Sequence, residues 1–246
     1  MRLALPRRRP VHDTEVTAVT PLTSSITRLT LAGPSLPALG IEHPTQWVKL
    51  AIPSPDGDGS GEVSRAYTIR HHRPEQAEVD IDIVLHGNGP LARWAATARP
   101  GARARIAGPR GRLRPLAGED YLLLAADESA QPAALSILEQ LPSGFPAFAF
   151  FEIADPADTQ PVTTTNAQLT WLPRPTGHPK GRLLTEALLS TTLPPGRPAA
   201  WVAGESTAVA AIRRRLLTER HLTRESLQAK GYWKSGEADH KDRDGK

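Results

Sequence analysis

The hydrophobic pattern of this 246-residue chain changes character near Asp120, and that change limits the fold more than any other feature. Before it, short runs rich in Val, Ile and Thr are separated by turn residues such as Gly33-Pro34. After it, apolar runs alternate with stretches of helical spacing. Short strands at regular spacing are typical of an antiparallel barrel, and strands alternating with helices are typical of a parallel α/β sheet. The sequence therefore predicts two domains of different class.

The N-terminal domain, residues 11–117, is predicted to be a six-stranded antiparallel barrel with one helix at Leu91–Ala98. Each candidate strand is rich in β-branched residues or alternates between apolar and polar positions, as a half-buried strand does. The candidates are His12–Val19, Ile26–Ala32, Gln46–Ile52, Arg65–Arg70, Val79–His86 and Arg103–Ala107.

The C-terminal domain, residues 118–236, is predicted to be a parallel-sheet α/β domain that binds a nucleotide at the carboxyl ends of its strands. Its predicted strands are Tyr121–Ala126, Ala147–Ile153, Gln168–Leu172, Ala199–Ala203 and Ala229–Trp233, and its predicted helices are Pro132–Leu141, Leu183–Ser190 and Thr207–Arg220. Residues 1–10 and 237–246 are predicted to be flexible tails, and the charged stretch from Ser235 onward is expected to be disordered.

Composition excludes several functions. The chain has no cysteine, which rules out disulfides, thiol catalysis and cysteine-ligated iron–sulfur or zinc centres, so an electron-transfer role would need a bound organic cofactor. No apolar run approaches the roughly 18 residues of a membrane span, and Met1–Pro10 lacks the apolar core of a signal peptide. These features predict a soluble cytoplasmic protein. The charge of +4 is dispersed and only 5% of residues are aromatic, which favours an anionic small molecule over nucleic acid.

The strand at Arg65–Arg70 carries residue types that suit a flavin dinucleotide. Alternation places Arg65, Tyr67 and Ile69 on one side, and Ala66, Thr68 and Arg70 on the other. An Arg-x-Tyr-Thr strand supplies a cation for the pyrophosphate, a flat ring beside the flavin and a hydroxyl near its redox nitrogen. This requires a twist or bulge that turns both faces toward one ligand. An ordinary edge strand with solvated charges is the alternative.

The turn Gly87-Asn88-Gly89-Pro90-Leu91-Ala92 follows a strand and opens a helix. Its glycines permit close backbone approach, Pro90 suits the first helical position, and the exposed amides behind it attract phosphate. With Arg65 and Arg70 the turn predicts a pyrophosphate site, against the alternative of a plain strand-to-helix turn. The turn also fits the Gly-rich dinucleotide fingerprint, but it lacks the acidic residue and the βαβ unit that accompany the fingerprint.

Small polar residues follow two predicted strands of the C-terminal domain. Asp127-Glu128-Ser129-Ala130 follows the first strand, and Gly204-Glu205 follows the fourth. The carboxyl ends of strands are where a parallel sheet binds its ligand, but helix capping alone also explains Ser and Asp at such positions. Among the remaining polar residues, Asp80 and Asp82 are predicted to share an exposed strand face, and His86 to be an ordinary strand-end histidine.

Seven motifs, in this order, resemble the siderophore-interacting protein family, a branch of the ferredoxin-reductase-like flavoproteins. They are Arg65-Ala-Tyr-Thr-Ile-Arg70, Asp82-Ile-Val-Leu-His86-Gly, Gly89-Pro-Leu-Ala-Arg-Trp-Ala95, Gly108-Pro-Arg-Gly111, Asp127-Glu-Ser-Ala-Gln-Pro-Ala133, Ala203-Gly-Glu205 and Gly231-Tyr-Trp-Lys234. The resemblance covers about residues 12–236. It implies FAD on the barrel, NADPH or NADH as electron donor on the α/β domain, and reduction of a ferric siderophore.

The resemblance also assigns roles to residues. Arg65 is expected at the FAD pyrophosphate, Tyr67 along the flavin and Thr68 near flavin N5, with the Gly87–Ala92 amides on the phosphates. The full expected FAD set is Arg65, Ala66, Tyr67, Thr68, Arg70, Asp82, His86, Gly87, Gly89, Pro90, Leu91, Ala92 and Trp94. Asp127, Glu128, Ser129, Ala130, Gly204 and Glu205 are expected to border the nicotinamide nucleotide, and Lys49, Arg110 and Lys234 to hold the anionic iron chelate.

Two residues depart from the family pattern: Gln131 stands where an apolar residue is usual, and Trp47 where a histidine is common. The chemistry is expected to reside on the flavin, with no catalytic side chain or bound metal required. Two alternatives stay open, an FAD reductase with another acceptor such as a quinone, and a protein that binds a ferric chelate without turnover. The particular siderophore and the choice between NADH and NADPH are left open. Arg213–Arg215 offer a site for the 2′-phosphate of NADPH, but an exposed helix face explains them equally well. A monomer or weak dimer is expected.

Overall fold

The computed structural model describes residues 10–54, 61–85, 89–162, 166–220, 222–237 and 240. The chain divides into two compact units, Met1–Leu113 and Arg114–Lys246. Its strands are β1 (Val11–Pro21), β2 (Ile26–Ala32), β3 (Trp47–Pro53), β4 (Glu62–Thr68), β5 (His71–Arg73), β6 (Glu78–Val84), β7 (Arg103–Arg110), β8 (Tyr121–Ala126), β9 (Ala147–Ile153), β10 (Ala167–Pro173), β11 (Pro198–Glu205) and β12 (Leu227–Trp233). Its α-helices are α1 (Pro90–Thr97), α2 (Gln131–Gln140), α3 (Arg182–Ser190) and α4 (Ser206–Glu219). Among the described helices, none has both the length and the apolar character needed to span a bilayer.

The N-terminal unit is an antiparallel sheet that closes on itself. Its strand order is β4-β3-β7-β1-β2-β6-β5, so the two outermost strands are consecutive in the chain. Only Ile69 and Arg70 separate them. The Ile69 amide donates to the Gln46 carbonyl beside β3 at 2.9 Å, and the Arg70 amide donates to the Asp80 carbonyl of β6 at 2.8 Å. The amides of two consecutive residues thus bond toward opposite ends of the strand order. The sheet is therefore closed into a barrel.

The barrel interior is filled by alternate residues of its strands. Val48, Leu50 and Ile52 of β3 point inward and are buried, whereas the residues between them are partly exposed. The helix α1 packs on this core through Leu91 and Ala95, and Trp94 lies partly buried against it. The helix therefore has a fixed position on the barrel.

The C-terminal unit is a five-stranded parallel sheet of order β10-β9-β8-β11-β12. All six residues of β8 are buried, as expected for the central strand of a parallel sheet. Tyr121, Leu123 and Ala125 share one hydrophobic cluster with α3 and α4, so α3 and α4 cover the same face of the sheet. The α2 helix contacts β8 and β9. The chain order and strand order make the carboxyl ends of β8 and β11 neighbours.

The predicted fold class, an antiparallel barrel followed by a parallel α/β domain, is confirmed. The strand number differs: the strand predicted at Arg65–Arg70 ends at Thr68 as β4, and a further strand, β5 (His71–Arg73), was not predicted. The chain bends at Ile69–Arg70 to change from one edge of the sheet to the other. At the other end of the chain, Lys234 and Glu237 form an isolated antiparallel bridge, so ordered structure continues past Ser235, within the stretch expected to be disordered.

Candidate flavin and nucleotide sites

A row of three residues crosses the barrel on strands β4, β3 and β7. Thr68 lies opposite Trp47, and Trp47 lies opposite Arg110. Residues directly opposite in antiparallel strands point to the same face. The Arg110 guanidinium lies over the Trp47 indole, 5.3 Å from the ring centroid, within the range of a cation–π contact. The barrel thus places a hydroxyl, an indole and a guanidinium side by side.

Lys49 lies on the same face of β3, two residues beyond Trp47, opposite Ala66 on β4 and Ala107 on β7. Two of the three residues predicted to hold the iron chelate, Lys49 and Arg110, therefore share one face with Thr68. The third, Lys234, belongs to the C-terminal unit, and its ammonium forms an ion pair with Glu237.

Arg65 and Tyr67 point to the other face of β4, opposite Leu50 and Val48. Tyr67 packs against the barrel core, and burial raises the pKa of its phenol to about 12, while the charge of Arg65 acts in the opposite direction. The phenol is therefore neutral at physiological pH and keeps its O–H donor. Arg65 donates one hydrogen bond to the adjacent Ser64 carbonyl at 2.8 Å. The predicted alternation holds as far as Thr68, where β4 ends.

Asp80 and Asp82 on β6 are buried, so the prediction of an exposed face was wrong. The reason is that β6 lies between β2 and β5, whose side chains cover it. Arg28 binds Asp82 through two hydrogen bonds of 2.6 and 2.8 Å, and the Arg70 Nε lies 3.9 Å from the same carboxylate. The Asp82 carboxylate thus lies between two guanidinium groups. Arg70 and Asp82, which are both predicted FAD residues, thus belong to one ionic group.

The neighbouring carboxylate of Asp80 is also fully engaged. Arg73 donates two hydrogen bonds of 2.6 and 2.7 Å to it, and His71 and Thr30 add others. Burial alone would raise the pKa of Asp80, but the hydrogen bonds from Arg73, His71 and Thr30 outweigh it and hold the pKa well below its usual range. This carboxylate is an ionised structural group, which excludes it from general acid or base work.

The start of α1 presents backbone amides next to open space. Gly89 is the N-cap, Pro90 occupies the first turn, and the first helical hydrogen bond runs from the Arg93 amide to the Gly89 carbonyl. The amides of Leu91 and Ala92 precede that bond, in the part of a helix that leaves donors for other partners. A Cβ added to Gly89 would meet no atom within 4 Å. The Leu91 side chain is buried in the core, which fixes the position of this first turn.

These features fit a bound dinucleotide. The amides in the first turn of α1, the open space at Gly89 and the partly exposed Arg65 are candidate donors for phosphate oxygens. His86 and Gly87, predicted to belong to this set, lie outside the described residues.

In the C-terminal unit, the predicted nucleotide residues other than Glu128 lie around one buried carboxylate, that of Asp127. Asp127 Oδ1 accepts from the Ser129 amide at 2.9 Å, from the Ser129 hydroxyl at 2.6 Å and from the Ala130 amide at 3.3 Å. Its Oδ2 accepts from the Glu205 amide at 2.9 Å and the Trp233 indole at 2.8 Å. Burial raises the pKa of Asp127, and the hydrogen bonds from Ser129 and Trp233 oppose that shift. This carboxylate joins the carboxyl ends of β8, β11 and β12.

The backbone at Gly204 passes so close to the Asp127 carboxylate that only glycine fits there. Gly204 has φ of +150°, and a Cβ there would lie 2.7 Å from the Asp127 carboxyl carbon. Glu205 accepts from the Ala208 amide at 2.9 Å and so caps α4. The helix-capping interpretation of Asp127 was wrong, because the N-cap of α2 is Ala130 and the Asp127 carboxylate accepts from the turn before that helix. The side chains of Asp127 and Glu205 together fix the shape of the strand ends.

Glu128 belongs to a second group, centred on Arg174. The Arg174 guanidinium lies 2.8 Å from Glu128 and 2.8 Å from Glu152, a fully buried carboxylate at the end of β9. Glu152 also accepts from the Gly181 amide at 2.8 Å. Glu128 therefore points away from Asp127 toward β9 and β10. Gln131 is likewise buried and donates to the Asp158 carbonyl at 3.3 Å, so this departure from the family pattern is accommodated inside the unit.

Sequence reasoning missed two cations at this edge, Arg174 and Lys180. The Lys180 ammonium lies 4.4 Å from the centroid of the Trp233 ring. Both cations lie in a loop of Pro, Gly and polar residues after β10, where no spacing distinguishes a contact residue from a solvated one. Trp233 lies in the Gly231-Tyr-Trp-Lys234 motif. Its indole N–H, which needs an acceptor when buried, was the one sequence signal that pointed to contacts at this edge.

Two family matches cover most of the chain. Residues 119–236 match the siderophore-interacting protein family, and residues 58–113 match the siderophore-interacting FAD-binding domain. The chain belongs to the siderophore-interacting protein family. The predicted family is thereby confirmed, and the N-terminal unit contains an FAD-binding domain of that family.

Individual relatives agree with this membership. The ferric vibriobactin reductase ViuB of Vibrio cholerae is 35% identical over 188 residues, which cover 74% of this chain and 69% of ViuB. The ferric acinetobactin reductase of Acinetobacter baumannii is 28% identical over 187 residues, 71% of this chain and 62% of that protein. The crystal structure of a siderophore utilization protein from T. fusca is 36% identical, with a TM-score of 0.86 over 94% of this chain and 95% of that one.

Proposed function

We propose that this protein is a flavin-dependent reductase that uses NADPH or NADH to reduce ferric siderophores. The observation that carries the proposal is the row of Thr68, Trp47 and Arg110 on a barrel of the FAD-binding family. Thr68 is the residue that the resemblance assigns to flavin N5, so the row sets a cation beside the expected redox centre. Relatives described as ferric vibriobactin and ferric acinetobactin reductases support the same reaction class.

Residues of the N-terminal domain, 11–117, would hold FAD. Arg65 and the amides at the start of α1 would bind the pyrophosphate, with Arg70 held nearby by Asp82. Tyr67 would lie along the flavin as a neutral phenol, and Trp94 would support α1 from the core side. Bound FAD accepts a hydride from a reduced nicotinamide and passes electrons singly to a metal. The protein's own part is binding, orientation and charge.

The anionic ferric chelate would bind to Lys49 and Arg110. Stacking on Trp47 restricts the Arg110 guanidinium while its in-plane N–H groups stay available to chelate oxygens. Lys234 is a weaker candidate because its charge is balanced by Glu237. One NAD(P)H supplies two electrons, which reduce two Fe(III) chelates to Fe(II) and leave NAD(P)⁺ and a proton. Hard oxygen chelators hold Fe(II) far less tightly than Fe(III), so reduction releases the metal.

The C-terminal domain, residues 118–236, would bind the nicotinamide nucleotide at the carboxyl ends of β8 and β11. Ser129, Ala130 and Gly204 surround the Asp127 carboxylate there, so their backbone has one fixed arrangement. A rigid edge of this kind orients a dinucleotide without a side-chain nucleophile. We place the reaction in the cytoplasm, and we expect the protein to act as a monomer or weak dimer.

An anaerobic titration of the purified protein tests the function. The oxidised protein should show flavin absorption bands that bleach with NADPH or NADH and return when a ferric siderophore is added. Bleaching without return would assign the protein to another electron acceptor. A colourless protein that also fails to take up added FAD would overturn the reductase proposal and leave chelate binding without turnover.

A further inference from the structure

Lys180 is held at one place on the carboxyl edge of the C-terminal sheet. The next residue, Gly181, donates its amide to buried Glu152 at 2.8 Å. Gly181 has φ of +77°, and a Cβ there would lie 2.0 Å from the Ala208 Cβ in the first turn of α4. Only glycine fits this close approach. The backbone beside Lys180 is therefore fixed both to β9 and to α4.

The side chain of Lys180 is positioned by an aromatic ring. Its ammonium lies 4.4 Å from the centroid of Trp233, and the Trp233 indole donates to Asp127 at 2.8 Å. Lys180 is thus linked through one ring to the carboxylate that gathers Ser129, Ala130 and Glu205. A lysine that merely extends into solvent has no such contact.

The charge of Lys180 is not balanced by a carboxylate among the residues that the structure describes. Its neighbours differ: Arg174 pairs with Glu128 and Glu152, Lys234 pairs with Glu237, and Arg182 pairs with Glu186. A cation–π contact holds an ammonium over the ring face and leaves N–H donors available, since a lysine ammonium has three of them and those that point away from the ring are not engaged by it. The edge therefore presents one oriented, exposed positive charge.

We propose that Lys180, supported by Trp233, contacts a phosphate group of the nicotinamide nucleotide. This inference rests on the proposed function. A dinucleotide offers two sources of phosphate, the pyrophosphate common to both donors and the 2′-phosphate of NADPH. Arg213–Arg215 are worse placed, because they begin seven residues into α4, about 10 Å along its axis from the strand ends. Arg215 is also paired with Glu219.

Binding of NADP⁺, NAD⁺ and 2′-AMP to the FAD-loaded protein, measured by isothermal titration calorimetry, tests the proposal without turnover. Lys180→Met removes the charge and keeps the stem, Lys180→Arg restores a cation, and Arg224→Met is the control. Arg224 is an exposed cation of the same unit on the loop that enters β12, at the opposite end of the strands. We expect Lys180→Met to weaken NADP⁺ binding about tenfold or more, as lost hydrogen bonds to a charged group do. Lys180→Arg should recover most of the affinity, and Arg224→Met should match the wild type.

The pattern of losses identifies the phosphate. Weakening of NADP⁺ and 2′-AMP but not of NAD⁺ assigns Lys180 to the 2′-phosphate, whereas equal weakening of NADP⁺ and NAD⁺ assigns it to the pyrophosphate. Unchanged affinities in Lys180→Met, with wild-type protein that binds and oxidises NADPH, overturn this inference and leave the proposed function intact. Wild-type protein that binds neither dinucleotide removes the proposed electron donor itself.

Discussion

The indole of Trp233 donates its N–H to Asp127 across 2.8 Å, joining the last strand of the C-terminal sheet to the end of its central strand. The same carboxylate accepts from Glu205 at the end of β11. Three strand ends thus depend on one buried acceptor. The candidate nucleotide edge is a single hydrogen-bonded unit rather than a set of independent loops.

Replacing that acceptor should destabilise the C-terminal unit. Asp127→Asn substitutes a donor for one acceptor oxygen and leaves buried N–H groups without partners, which we expect to lower the free energy of unfolding by about 2–4 kcal/mol. Asp155→Asn is the control, because Asp155 accepts one exposed amide hydrogen bond from Ala157 and should cost about 1 kcal/mol or less. Urea denaturation followed by tryptophan fluorescence measures both. Equal midpoints for the two variants would contradict the central role of Asp127.

Arg174 should contribute far more to the free energy of unfolding than a surface arginine that is also paired with a glutamate. Arg174→Gln leaves the fully buried Glu152 without its cation, and we expect a loss of about 3–5 kcal/mol. Arg182→Gln breaks an exposed i, i+4 pair with Glu186 and should cost about 0.5 kcal/mol or less. Thermal unfolding of the two variants makes the comparison, and it fails if Arg174→Gln melts within a degree or two of Arg182→Gln.

Tyr67 should titrate late. The pKa of its phenol is raised to about 12 from the ordinary 10.0, so it adds stability that is fully present below about pH 10 and is lost as pH rises through about 12. The difference in ultraviolet absorbance between the wild type and Tyr67→Phe isolates this one phenol, in the folded protein and in denaturant. A midpoint near pH 10 in the folded protein would show that the ring is solvated.

Arg110 should govern affinity for the ferric chelate and not for other oxidants. Arg110→Gln is expected to raise the KM for a ferric siderophore about tenfold while leaving reduction of an uncharged quinone unchanged, because only the anionic chelate uses the guanidinium. Arg105→Gln is the control: Arg105 lies on the same strand but is exposed and paired with Glu62. Trp47→His should produce a smaller rise of the same kind, since it removes the ring that orients Arg110. Equal effects on both acceptors would remove Arg110 from the substrate site.

Much of the fold was predictable because hydrophobic periodicity is local. The strands at Tyr121–Ala126 and Ala147–Ile153 were predicted with the bounds that the structure shows, and the helices lie within one residue of their predicted ends. The end of β4 at Thr68 and the separate short strand β5 were not predictable. They depend on which strands lie on either side of Ile69 and Arg70, and that is information about the closed sheet.

In the candidate sites too, local motifs were predictable and contacts between distant strands were not. Thr68, Asp127 and Gly204 could be chosen as candidates because they stand in motifs of distinctive residue type and spacing. The burial of Asp80 and Asp82 was missed because their cover comes from Arg28 and Arg73 on other strands. Lys180 was missed because its significance lies in a ring more than fifty residues away.

The closure of the barrel at Ile69 and Arg70 has a consequence for how the protein acquires its cofactor. The strand with the predicted flavin motif, β4, runs directly into Ile69 and Arg70, whose amide hydrogen bonds join the two edges of the sheet. These two bonds need β3 on one side and β6 on the other, so we expect the motif to be ordered only when both strands are in place. We therefore expect FAD uptake to require the closed barrel, so that flavin absorbance would report a complete N-terminal unit.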